Sequence, residues 1–146
     1  MTAGFIPPRR ILAVMGEGTG AAALETAIAL ADHHGAKVEI FTCVQPPHDL
    51  SILARLAGRQ QDELLEDLRR RRREEIAQVL AQTGMDRSFE IHLRTGKPFI
   101  EVIRFTLASD VDFVVKTAEP LGSVRRFLFG STDQHLLRKC PCPVWL

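Results

Sequence analysis

Residues 130–146 read GSTDQHLLRKCPCPVWL: a glycine turn, a hydroxyl pair, two helical turns and a short strand marked by prolines. The start of such a helix presents free backbone N–H groups and the positive end of its dipole, which together suit a phosphate. Gly130, Ser131 and Thr132 are therefore candidate ligand contacts. The same residues also have a purely structural use. Ser131 and Gln134 stand at capping-box spacing, and Gly130 can supply an unusual backbone angle. Residue chemistry leaves both uses open. Pro141 and Pro143 share one parity, so their missing N–H groups lie on the same side of the strand. That predicts an edge strand pairing inward through Cys142 and Val144.

Working back from that segment, strands and helices alternate. Short apolar runs at 10–15, 38–44, 89–93 and 111–115 predict strands, with a last one at 142–146. Leu24, Ala27, Ile28 and Ala31 at helical spacing predict a helix over 21–34, closed by Gly35. A long helix is predicted from about 59 to 82, ended by Gly84, and another follows Pro98 in its first turn. Residues 45–58 read as a linker whose Leu50, Ile52, Leu53 and Leu56 would form an amphipathic turn or a lid. Alternation of this kind implies an α/β fold with a parallel sheet and helices on both faces. Ligands in such sheets bind beyond the C-terminal strand ends, where strand order reverses.

The 146 residues suit a single domain, 1–146, with a full core. Net charge is +1, which argues against nucleic acid or a membrane surface as partner. No apolar run reaches the length of a membrane span and no signal peptide is evident, so a cytoplasmic protein is expected. Three cysteines do not make a disulfide framework. Cys140 and Cys142 lack the spacing of a zinc knuckle, so no metal site is expected.

Arg69 to Arg73 form an unbroken basic run, but six acids between Asp62 and Glu75 flank it. Pairs at i,i+4 (Glu66–Arg70, Asp67–Arg71, Arg70–Glu74, Arg71–Glu75) predict a solvated helix face rather than a nucleic-acid site. Gly16 to Ala21 fits the loose dinucleotide pattern G-x-G-x-x-A after a strand. The acid expected at the end of the second strand is missing, since Thr42, Cys43 and Val44 stand there, so a plain turn with Thr19 near the helix cap is favoured. Lys116, Arg125 and Arg126 could complement an anion at the C-terminal helix. There is no Walker A loop, nucleophile elbow or zincin motif, and no enzyme is predicted.

Several of these segments together resemble the universal stress protein family. They are Ile11-Leu12-Ala13-Val14, the helix from Leu24 to Ala31, Gly96 with Pro98 and Ile100, VDFVV at 111–115, and FGSTDQHLLRKCPCPVWL. Lys116-Thr117 and the closing CPCPVW are most similar to E-type members, which often carry two such domains in tandem. The resemblance implies a Rossmann-like fold with a five-stranded parallel sheet in order 3-2-1-4-5, usually as a homodimer joined through the last strands. Some members bind ATP through an aspartate after the first strand and a G-x2-G-x9-G-[S/T] motif.

In this chain Gly130 and Ser131 match the end of that motif, Thr117 and Pro120 fall where its earlier glycines belong, and Gly16 takes the aspartate's place. Glycine offers no side chain to hold a ribose or adenine edge, and proline removes a backbone donor. The expectation is a non-enzymatic stress-response domain with a degenerate nucleotide site, acting by dimerisation or on an unknown protein partner. No cofactor is expected, ATP being the one the resemblance admits. The alternative is an adenine-nucleotide (ATP)-binding stress sensor using Gly130, Ser131, Thr132 and Lys116, with Gly16 and Cys43 lining the same site. The prolines would blunt the last strand as a dimer edge, leaving the apolar residues of 50–56 as another surface.

Overall fold

The computed structural model describes residues 4–18, 21–84, 87–118 and 131–146. Thr19, Pro120, Gly122, Arg125, Arg126 and Gly130, all singled out above, lie outside the described residues, as does the Ser131 side chain.

Five strands form one sheet: β1 (Arg10–Val14), β2 (Lys37–Val44), β3 (Ile91–Thr95), β4 (Phe113–Lys116) and β5 (Val144–Trp145). They lie in the order β3-β2-β1-β4-β5, every pairing parallel. Five helices join them: α1 (Ala22–His34), α2 (Leu50–Ala57), α3 (Gln61–Thr83), α4 (Pro98–Ser109) and α5 (Ser131–Lys139). The expected fold class and strand order hold. The segment 45–58 contains a true helix, because Leu50, Leu53 and Ala54 recur at helical spacing and Gly58 closes it at φ 65°. β3 and β4 start two residues later than their apolar runs.

Alternate residues of the strands feed two cores. Ile11, Ala13, Ile40 and Val115 pack with Leu24, Ala27 and Ile28 of α1 and Ile76 of α3. Leu12, Val14, Phe41 and Val114 pack on the other face with Val102 and Phe105 of α4 and Leu136 of α5. The central strands are buried on both faces, which is why they read as continuous apolar runs. The N-cap of α1 is Ala21, with no side-chain cap, and the helix closes at Gly35 in the left-handed conformation.

β5 is an edge, as expected, but its parity is the reverse of the prediction. The Val114 N–H donates to the Pro143 carbonyl at 3.0 Å. Odd-numbered residues of β5 therefore face β4, and the peptide groups of Val144 face outward. Pro143 is tolerated there because its carbonyl, not its missing N–H, makes the ladder bond.

The arginine run is not uniformly solvated. Arg72 is buried, its Nη1 donating to Thr42 Oγ1 at 2.9 Å and to the Cys43 carbonyl at 3.0 Å. Arg69 donates to Thr95 Oγ1 at 2.6 Å. Five consecutive residues wrap the helix, so one of them must face the sheet. The predicted i,i+4 pairs are absent; the ion pairs run instead at i,i+3, as in Arg69–Glu66, Arg70–Asp67 and Arg72–Glu75.

Candidate functional site

The strand order reverses between β1 and β4, and a crevice of about 520 Å³ opens there above the C-terminal strand ends. Its size is within the range of small-molecule sites. Gly16, just after β1, Cys43 of β2 and Lys116, the last residue of β4, all line it. Three residues picked from separate parts of the sequence are thus brought together. Thr132 is half-buried in the first turn of α5.

Lys116 is only 4% exposed in its side chain, and its Nζ lies 2.7 Å from Oδ1 of Asp133, which is fully buried. The same ammonium donates to the Thr117 carbonyl at 3.1 Å. A lysine at the end of a central strand has no water to carry its charge, so a carboxylate must be close. Asp133 also sits in the first turn of α5, where the helix dipole favours an anion. Asp133 was not among the residues expected at the site. The usable signal was its position three residues before Leu136, on the stripe that α5 buries. His135 stacks on Phe99 at 4.2 Å between ring centres and belongs to the packing of α4 against α5.

Other charges of the crevice are compensated as well. Arg72 lies 3.5 Å from Glu75 and 3.9 Å from Glu17. Cys43 is neutral, because burial pushes its thiol up to about 11, with the Glu101 charge adding to the rise and Arg72 and the Gly96 backbone opposing it. Gly16 brings backbone but no side chain to the mouth, so it supplies neither acid nor base. The Thr117 hydroxyl is buried with no hydrogen-bond partner among the described residues. No nucleophile stands beside a base in the crevice among the described residues.

Comparison with known proteins agrees with this fold. The model of the universal stress protein family matches residues 8–146. Universal stress protein E of Salmonella typhi is 41% identical over 51 residues, covering 35% of this chain and 16% of that protein. The universal stress protein in the QAH/OAS sulfhydrylase 3′ region of Thermus aquaticus is 27% identical over 136 residues, covering 93% of this chain and 95% of its own. Among solved structures, a universal stress protein in complex with cAMP superposes with a TM-score of 0.59 at 17% identity, covering 96% of each chain. The chain belongs to the universal stress protein family. Its matched stretch is about a sixth of the length of the E-type relative.

Proposed function

We propose that this chain acts as a non-enzymatic regulatory domain of the universal stress type, working as a homodimer, with a crevice that does not clasp a nucleoside triphosphate. The observation that carries the reading is the buried Lys116–Asp133 pair. A triphosphate needs positive charge and free N–H donors to offset its loss of water. Here the lysine at the strand end is already neutralised within the protein. Gly16 supplies no acid for a ribose, and Pro120 removes a donor from the sequence that elsewhere forms a phosphate loop. The absence of a base–nucleophile arrangement among the described residues supports a binding rather than a catalytic role, in the cytoplasm.

Two observations favour a narrower form of the second reading, a sensor for an adenine nucleotide smaller than ATP. The crevice is present at the switch point, and a structural neighbour is a complex with cAMP. A cyclic monophosphate carries a single charge and needs far less compensation than a triphosphate.

The outer edge of β5 supports dimerisation. The Val144 peptide group faces away from β4, and Trp145, the only tryptophan, is 49% exposed beside it. An unpaired edge is a template for a second strand, and two copies of β5 about a twofold axis would close it. The prolines therefore do not blunt the side that matters. Sedimentation velocity should show a concentration-dependent dimer, with a change in Trp145 fluorescence on dilution. Val144→Pro removes the outward donor and should weaken the dimer by about tenfold or more, the loss of one or two interchain hydrogen bonds. A monomer at every concentration, or a dimer indifferent to Val144→Pro, would remove β5 as the interface.

A further inference from the structure

Two of the three cysteines, Cys140 and Cys142, lie against each other and do not line the crevice. Cys140 follows α5, its N–H bonded to the Leu136 carbonyl at 3.0 Å, and Cys142 stands just before β5. Their Sγ atoms are 3.7 Å apart. Both are half-buried, with the exposed Pro141 between them. Cys43 is different: it is buried, its Sγ lies 3.4 Å from the Gly96 carbonyl, and its thiol is held protonated.

The local chemistry separates the roles of the pair. The contact with Cys142, in which either sulfur can donate, draws the Cys140 thiol below its ordinary range against the effect of burial, with the Cys142 N–H and the Thr106 hydroxyl adding to the effect. The Thr106 hydroxyl, which bonds the Val102 carbonyl at 2.7 Å, can turn to a thiolate. Cys142 is held above the ordinary thiol range, chiefly by its bond to Cys140, then by burial and by the charges of Cys140 and Asp112. Arg138 and Lys139 in the last turn of α5 offset the negative pole of that helix.

We propose that Cys140 and Cys142 are a hydroperoxide-reactive dithiol, in which Cys140 is the attacking thiol and Cys142 the resolving one. The Cys140 thiolate attacks the distal oxygen of a hydroperoxide. An S–O bond forms, the O–O bond breaks, and the leaving alkoxide takes a proton to become an alcohol. Cys140 is then a sulfenic acid. The Cys142 sulfur attacks the Cys140 sulfur; the S–S bond forms, the S–O bond breaks, and the departing hydroxide takes the Cys142 proton as water. Two thiols lose two electrons and two protons, and the peroxide becomes one alcohol and one water. The sulfur atoms need only close from 3.7 Å to a bond of about 2.05 Å.

A thiol held below its ordinary range carries more thiolate at neutral pH, a gain offset only in part by the weaker nucleophilicity of such a thiolate. Cys140 should therefore react faster than Cys142 or Cys43, whose thiols are held above their ordinary range. The test treats the folded full chain with hydrogen peroxide, then unfolds it, alkylates it and maps its peptides by mass. The expected product is an internal Cys140–Cys142 disulfide, lighter by two hydrogens and reversed by dithiothreitol, with Cys43 still alkylated. Cys142→Ser should instead accumulate a sulfenic acid on Cys140, trapped by dimedone, and Cys140→Ser should slow peroxide consumption several-fold. Oxidation of Cys43 first, a disulfide between two chains, or unchanged peroxide consumption in Cys140→Ser would overturn the proposal.

Discussion

Replacing Asp133 by alanine is expected to cost about 3–5 kcal/mol of folding stability. The loss arises from Lys116, whose Nζ would keep its place at the end of β4, enclosed and without the carboxylate 2.7 Å away. Taking an ammonium out of water is unfavourable, and Asp133 is what offsets it. A domain of this size has about 5–15 kcal/mol in all, so the variant would stand near the limit of folding. Lys116→Met strands the aspartate and should cost a similar amount. The double variant Lys116→Met with Asp133→Leu removes both charges from a buried site and should recover most of the loss. Urea unfolding of the four proteins forms a double-mutant cycle in which the double variant loses far less than the sum of the two single losses. Single variants within about 1 kcal/mol of the parent would show that solvent reaches the pair.

The second large effect concerns Glu39, a fully buried carboxylate on β2. Arg10 grips it with Nε and Nη2, both at 2.9 Å, and His92 Nε2 approaches at 3.1 Å. Arg10 also donates Nη1 to the Ser109 carbonyl and so closes the C-terminus of α4. Glu39, Glu90 and His92 could otherwise be read as a cation site, but the Arg10 guanidinium occupies the place of the cation. Burial raises the Glu39 carboxyl, and the bonds from Arg10 and His92 outweigh that and hold it below its ordinary value. A depressed carboxylate contributes stability that is complete above its unfolded value of about 4.3 and is lost as pH falls through the folded one. The parent should therefore weaken steeply with acid below about pH 4, and Glu39→Gln should do so less steeply. At neutral pH the substitution should cost about 2–3 kcal/mol, less than at Asp133 because Arg10 is partly solvated. Parallel acid profiles for parent and Glu39→Gln would contradict this account.

Much of the fold was legible in the sequence because it rests on local rules. Gly35, Gly84 and Pro98 mark helix boundaries by backbone conformation alone, and the buried runs of β1, β2 and β4 can only be central strands. The strand order came from resemblance, since spacing does not specify which strands pair. What was missed depends on three-dimensional partners. Arg72 looked like four other arginines until the sheet placed Thr42 and the Cys43 carbonyl beneath it. Lys116 was found but not its carboxylate, because the two are seventeen residues apart and meet only when α5 docks on β4. The parity of β5 was misjudged because proline was taken to turn its nitrogen outward, whereas its carbonyl makes the ladder bond.

The central claim is that the strand-end lysine is committed within the protein, leaving the crevice unable to hold a triphosphate. Isothermal titration of the folded chain with ATP, with and without magnesium, tests it most directly. The account predicts no saturable heat, or an affinity of roughly millimolar or weaker. Saturable micromolar binding, lost when Lys116 is replaced by methionine in the stable double variant, would contradict it.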